Sequence, residues 1–280
     1  MEGYYVIRTY EAGKIGEKTK FFVPGVRSDT ERGRRYERNV IKKQEQNEYS
    51  SLKALARLIN ANASDISCMI GLDYSDEGLK KLEGRARKVC ETAGADYEKI
   101  PEEERENLIY DAAAHEAELL LRRVARTAKE EGRQLRYIVI TSDMDGETGE
   151  RVRVHHHLLV SAGFENVFSK KWLKNGTVNY KTLRLQDDYT PIAKYFADQV
   201  RRIPDAKKYR SSRNLIRPVP KDRIAITDAE VRVPKGGQLL FRSEFVPHAP
   251  QYIRYVLPKN RWKLKDKMRY NYECEVEEDE

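Results

Sequence analysis

Three consecutive histidines lie inside residues 151–160, a stretch whose other residues are typical of a β-strand. Because side chains alternate across a strand, we expect His155 and His157 on one face and His156 on the other, among valines and leucines. Two imidazoles on one face of a strand can hold a divalent metal ion against a sheet. The triplet alone fits a structural role for these histidines equally well.

A second chemically useful stretch, residues 187–202, is predicted to form a helix capped by aspartates, with a proline in its first turn. Ile192, Phe196 and Val200 form one apolar stripe that should pack on a sheet. Tyr195 adjoins this stripe, so it could face the histidines from the edge of the core. A tyrosine hydroxyl can form a covalent ester with a DNA phosphate, which keeps the energy of the broken phosphodiester.

Two neighbours of Tyr195 bear on this chemistry. Lys194 could neutralise a phosphate or ease loss of the phenolic proton. Tyr189, just before the helix, is the alternative nucleophile. Each tyrosine could instead be an ordinary packing residue, an interpretation that the sequence leaves open.

The composition indicates a phosphate-rich partner and a reducing compartment. The chain has 280 residues, 39% of them hydrophobic and 35% charged, with a net charge of +8. Its three cysteines show no disulfide or zinc spacing, so we expect a cytoplasmic location. No signal peptide or membrane-spanning apolar run is evident, so no membrane partner is expected.

The predicted elements divide the chain into three segments. Residues 1–47 should contain a β-hairpin and a basic arm, and residues 48–205 should form the domain that holds the histidine strand. Within that domain we expect a helix near 48–60, a long helix after Pro101, and strands at 66–74, 135–141, 151–160 and 177–185. Residues 206–280 should form a β-rich extension with an acidic tail.

The order of these motifs resembles that of the HUH endonucleases, which cut and rejoin single-stranded DNA. The similarity is closest to the gene II-type replication proteins of filamentous phages and their relatives on plasmids and integrative elements. The motifs that carry it are the strand ending at residues 72–74, the strand 137–141, the histidines 155–157, the pair 194–195 and the segment 209–215.

The resemblance implies an α+β fold with a central antiparallel sheet and flanking helices. It also implies a nicking endonuclease that initiates rolling-circle replication, with Mg²⁺ or Mn²⁺ on His155 and His157 and a 5′-phosphotyrosyl bond to Tyr195. The implied partners are single-stranded origin DNA and a host helicase and polymerase, within the cytoplasm of a bacterial host cell. Candidates for phosphate contacts are Arg153, Lys194, Arg201, Arg202, Arg210 and Arg213.

This chain departs from the family pattern in ways that affect the site. Relatives commonly have a glutamate as a further metal ligand where this chain has Ser142 and Asp143, so Asp143 is the candidate third ligand. Some initiators carry a second tyrosine one turn before the first, where this chain has Pro191, which favours a single-tyrosine mechanism. A mobilisation relaxase, a transposase and a non-catalytic DNA-binding protein of this fold are the alternatives.

Overall fold

The computed structural model describes residues 3–24, 40–200, 208–225 and 227–261, excluding the side chains of residues 40–48. In these ranges the fold is α+β, with two five-stranded sheets whose strand pairs are all antiparallel. No described helix is both long enough and apolar enough to cross a bilayer.

The described helices are α1 Val40–Ala61, α2 Asp76–Thr92, α3 Glu102–Glu130, α4 Glu165–Trp172 and α5 Thr190–Asp198. The described strands are β1 Tyr4–Ala12, β2 Ile15–Val23, β3 Ile66–Tyr74, β4 Tyr137–Met144, β5 Arg151–Ser161, β6 Gly176–Thr182, β7 Arg210–Ser211, β8 Lys221–Ala225, β9 Gln238–Arg242 and β10 Gln251–Val256.

The chain divides into two compact units. The first comprises Met1–Asn62, Gln186–Thr190 and Ile216–Glu280, and we call it the terminal unit. The second, the histidine unit, comprises Ala63–Leu185 and Pro191–Leu215. This grouping differs from the three consecutive segments predicted from the sequence, because strand pairing joins both ends of the chain in one sheet.

The terminal unit is built on a sheet with strand order β8-β1-β2-β10-β9. Its first hairpin, which was predicted, turns through Gly13 and Lys14 between the paired residues Ala12 and Ile15, and Gly13 adopts a φ of 56° that favours glycine. Helix α1 lies on one face, where the Arg57 guanidinium donates two hydrogen bonds to Glu17. The opposite face has a small apolar core of Val231, Ile253, Tyr255 and Leu257.

The histidine unit is built on a sheet with strand order β6-β3-β5-β4-β7. Helices α2, α3 and α4 cover one face, which we call the back face, and contribute Leu82, Leu120 and Trp172 to the main core. The alternate strand positions Ile70, Leu72, Leu158 and Val160 complete that core. Helix α5 packs on the opposite, front face through Phe196, which is fully buried.

Most predicted elements of the histidine unit are confirmed, including the hairpin formed by β4 and β5. Two differ. Helix α4 was not predicted, although Phe168 and Trp172 are spaced one helical turn apart and both are buried. The predicted helix 187–202 is described only as far as Asp198, after which the chain turns. The expected central sheet is one of two sheets.

Candidate metal and nucleophile site

The two histidines on the front face point toward each other. Strand β5 lies in the middle of its sheet, so its backbone is fixed by pairing on both sides. His155 Nδ1–H donates to the carbonyl oxygen of Arg153 at 2.9 Å, which leaves a lone pair on Nε2. That Nε2 lies 3.1 Å from Nε2 of His157. Two nitrogens that bind one cation at about 2.1 Å each have a similar separation.

The electrostatic environment keeps His157 neutral. Burial, and to a smaller extent the neighbouring His155, lowers its pKa to about 4. Asp73 and Gln199 act in the opposite direction, but they do not overcome burial. A neutral imidazole is the form that coordinates a metal ion, so the donor chemistry of this pair fits a divalent cation.

His156 has a different environment on the back face. It is fully buried and forms hydrogen bonds to Tyr74 Oη at 2.9 Å and Thr141 Oγ1 at 3.0 Å. Its ring also contacts Trp172 edge to face. Burial lowers its pKa to about 3. His156 is therefore a satisfied core residue that fixes the strand between its two neighbours.

The structure brings Tyr195 to this pair. Its ring centroid lies 5.5 Å from that of His157, and its side chain is 43% exposed. Phe196, the next residue, inserts into the core, and its ring centroid lies 6.1 Å from that of His157 and 6.1 Å from that of Tyr195. Burial of Phe196 thus sets the rotation of helix α5 that places Tyr195 at the rim. Lys194 is exposed on the same helix.

Tyr189 is in a different position. Its side chain is only 4% exposed and belongs to the terminal unit. Its hydroxyl accepts a hydrogen bond from the backbone N–H of Gln186, and its own N–H donates to Asn60 Oδ1 at 2.8 Å. These contacts fit a packed turn residue, so the structure favours Tyr195 over Tyr189 as the accessible hydroxyl.

The predicted third ligand, Asp143, is not grouped with the histidines. It is 6% exposed and follows Ser142, the residue paired with His155 across β4 and β5. The register of the β4–β5 pairing shifts between Ser142 and Met144, so Asp143 lies at an irregular point of this hairpin. No three His, Cys, Asp or Glu side chains form a ready metal cluster in the described part of the chain.

Two oxygen donors that the sequence interpretation missed lie beside the pair. Asp73 on β3 pairs with His155 in register, and its carboxylate accepts a hydrogen bond from Asn179 at 3.0 Å. Gln199 follows helix α5, and Ser142 Oγ donates to its carbonyl oxygen at 2.5 Å. The spacing of Gln199, one helical turn after Tyr195, was the available sequence signal.

The Gln199 side chain has an unusual environment. It is 6% exposed, and its Oε1 is buried without a hydrogen-bond partner of normal geometry among the described residues. The Gln199 side-chain amide acts to raise the pKa of His157 through a hydrogen bond, so this amide lies next to the His157 ring. A buried acceptor of this kind beside the His157 imidazole is a suitable oxygen donor for a cation.

The predicted phosphate-binding arginines are spread over the histidine unit. Arg153 forms an ion pair with Asp76 at 2.9 Å, and Arg210 pairs with Glu118 at 2.6 Å. Exposed pairs of this kind are weak, so both guanidiniums can exchange partners at small cost. Arg213 is exposed. Arg201 and Arg202 lie outside the described residues.

Comparisons with known proteins add no relative: no family model, curated protein or solved structure matches this chain.

Proposed function

We propose that this chain is a metal-dependent DNA-nicking endonuclease and strand transferase of the HUH kind that initiates rolling-circle replication. The supporting observation is that the Tyr195 ring lies 5.5 Å from His157, whose Nε2 faces that of His155 at 3.1 Å. An accessible phenol beside two convergent imidazoles is suited to phosphodiester transfer onto tyrosine.

In the proposed reaction Tyr195 Oη attacks the scissile phosphorus, and the bond from phosphorus to the 3′ oxygen breaks. The phenol loses one proton and the leaving 3′ oxygen gains one, so charge and atoms balance. The product is a 5′-phosphotyrosyl ester, which a later 3′ hydroxyl can attack to rejoin the strand. The free 3′ hydroxyl serves a polymerase, and a host helicase supplies the unwinding.

His155 and His157 would hold Mg²⁺ or Mn²⁺ through their Nε2 atoms, with Asp73 or Gln199 as an additional oxygen donor. A divalent cation at this position polarises the phosphate and stabilises the charge that develops on its oxygens. The residues of the chain supply the rest of the site. Phe196 fixes the helix that presents Tyr195, and His156 anchors the strand from the back face.

Covalent trapping of single-stranded DNA tests this proposal. A randomised 40-nucleotide pool, labelled at its 3′ ends, is incubated with the full chain and Mn²⁺. We expect a labelled adduct that survives denaturation, with the nucleotide on the Tyr195 peptide by mass spectrometry. Tyr195→Phe should abolish the adduct, and Tyr189→Phe should keep it.

The reverse result for the two tyrosine variants would move the nucleophile to Tyr189. A wild-type chain that forms no adduct from the pool would contradict nicking, and binding of the pool without an adduct would support the non-catalytic alternative. The same assay with Mn²⁺ removed by chelation should give no adduct, since the histidine pair is proposed to act through the cation.

A further inference from the structure

Both units have a positive net charge, and the described part of the terminal unit is the more basic. Among the described side chains, the terminal unit has fifteen lysines and arginines against eight aspartates and glutamates, over residues 3–24, 49–62, 186–190, 216–225 and 227–261. The histidine unit has twenty-four against twenty-three, over 63–185, 191–200 and 208–215. Over the full bounds of the units the net charge is +5 for the terminal unit and +3 for the histidine unit, so both contribute to the basic excess that indicates a polyanionic partner.

One face of the terminal sheet carries aromatic rings on successive strands. Strand register places Thr19 between Arg8 and Tyr252 on the face that α1 covers in part. Tyr4 and Phe21 share this face through the same alternation, and Phe241 contacts Tyr252 at 5.9 Å. We call Tyr4, Phe21, Phe241, Tyr252 and the α1 residue Tyr49 the aromatic face.

Basic side chains are interleaved with these rings. The Lys53 ammonium lies 3.4 Å from the ring centroid of Tyr252 and 4.1 Å from that of Tyr49. The Arg8 guanidinium lies 5.2 Å from the Phe21 centroid. Arg8 also forms a bidentate ion pair with Asp222, and because both side chains are exposed a phosphate can replace the carboxylate at small cost.

Large parts of this face are open to solvent. Phe241 is 47% exposed, Tyr4 is 46% exposed and Tyr49 is 52% exposed. Exposed apolar patches that are rimmed by polar residues mark interaction sites, and here the rings lie in a unit with a positive net charge. Base stacking on aromatic side chains combined with basic contacts to the backbone is the usual mode of binding to single-stranded nucleic acid.

We propose that the aromatic face of the terminal unit binds single-stranded DNA, independently of the histidine site. Its bases stack on Phe241 and Tyr4, and its phosphates contact Arg8 and Lys53. This inference extends the proposed function by assigning the terminal unit to hold an unpaired strand, but it does not require that the chain cleave DNA.

Fluorescence anisotropy with a labelled 20-nucleotide oligo(dT) and the full chain tests the inference. Phe241→Leu should weaken binding about tenfold, since it removes one stacking ring, whereas Phe241→Tyr should retain wild-type affinity. Phe22→Leu is the matched control, because Phe22 is 45% exposed but lies on β2 with its side chain on the opposite face of the same sheet. The affinity should also fall as NaCl rises from 50 to 200 mM.

Equal affinities for wild type, Phe241→Leu and Phe22→Leu would overturn the inference, as would tighter binding of a 20-base-pair duplex than of the single strand. The outcome is separable from nicking. If tyrosine adducts form but the ring substitutions leave the affinity unchanged, only the proposed DNA binding by the aromatic face is contradicted. If the ring substitutions weaken binding but no adducts form, the result supports DNA binding by the aromatic face and contradicts the nuclease proposal.

Discussion

At the scale of single residues, strand alternation assigns different chemistry to three identical side chains. His155 and His157 point toward each other on the front face, whereas His156 is enclosed between Tyr74 and Thr141. The same residue type is a candidate ligand in two positions and a core hydrogen-bonding group in the third.

Alanine substitutions at the three histidines should separate these roles. His155→Ala and His157→Ala should each abolish Mn²⁺-dependent adduct formation with little change in the free energy of unfolding. His156→Ala should lower that free energy by about 1–3 kcal/mol, because it leaves buried hydroxyls without partners. Urea unfolding and the adduct assay measure the two effects. Equal loss of adduct in all three folded variants would contradict the face assignment.

Gln199→Leu should raise the Mn²⁺ concentration needed for half-maximal adduct formation by about 10–100-fold, a typical effect of losing a residue that supports a metal site. The reason is that the buried Oε1 beside His157 is removed while the volume is largely kept. Asp198→Asn, at the preceding exposed position, is the control. An unchanged Mn²⁺ requirement would exclude Gln199 from the site.

The histidines should also make the metal-free protein acid-sensitive. Burial lowers the pKa of His157 to about 4 and that of His156 to about 3, from 6.5. As pH falls below 6.5, the unfolded chain binds protons that the folded chain excludes, so the free energy of unfolding decreases. Above pH 7 both states are neutral and this effect vanishes.

The measurement for this pH effect is Tm in EDTA at pH 7.5, 6.5 and 5.5, a window above the titration of ordinary carboxyl groups. Tm should fall with pH, and His156→Gln should reduce the slope because one buried imidazole is removed. A Tm that stays constant over the window would show that the two rings do not couple folding to protonation.

At the scale of elements, helix α2 contains two glycines in contrasting environments. A Cβ on Gly78 would lie 2.0 Å from the carbonyl oxygen of Asn175, in the first turn capped by Ser75. A Cβ on Gly84 would meet nothing within 4 Å. One helix thus holds a glycine that permits a close backbone approach and another that only lowers helix propensity.

Gly78→Ala should therefore destabilise the protein by about 1–3 kcal/mol through a backbone clash, whereas Gly84→Ala should stabilise it by about 0.5–1 kcal/mol. Urea unfolding of the two variants gives both values. If the two substitutions shift the urea midpoint of unfolding in the same direction, that result contradicts the close contact between α2 and the turn before β6.

Alternation and turn chemistry were sufficient to predict most elements of the histidine unit and the opposite faces of its histidines. The surroundings of the pair were not predictable, because Asp73 and Gln199 approach it through pairing and helix packing between distant segments. The joining of the first hairpin to β10 was missed for the same reason, since pairing partners leave little trace in either strand. Asp143 was expected as a ligand because the resemblance places a glutamate ligand of the relatives at Ser142 and Asp143.

At the scale of the whole molecule, the C-terminal strands are structural parts of the terminal unit. Strand β10 pairs with β2 on one side and β9 on the other, and β8 pairs with β1. A chain that ends at residue 215 lacks three of the five strands of that sheet. A chain that ends at residue 261 retains all five.

We expect the chain ending at residue 215 to lose the cooperative unfolding of the terminal unit and to aggregate, because β1 and β2 keep unpaired edges. The chain ending at 261 should keep the wild-type unfolding transition. Near-UV circular dichroism and size-exclusion chromatography compare the two. A monomeric, cooperatively folded 215-residue chain would contradict the shared sheet.

The shared sheet also has a consequence for synthesis on the ribosome. The histidine unit spans residues 63–215 apart from one short excursion, so all its strands emerge before β8 begins. The β1–β2 hairpin emerges first but waits for β10, which arrives about 230 residues later. Strand β10, the last described strand to be translated, is therefore needed to complete the sheet that the β1–β2 hairpin begins. We expect the histidine unit to fold on the nascent chain before the terminal unit does.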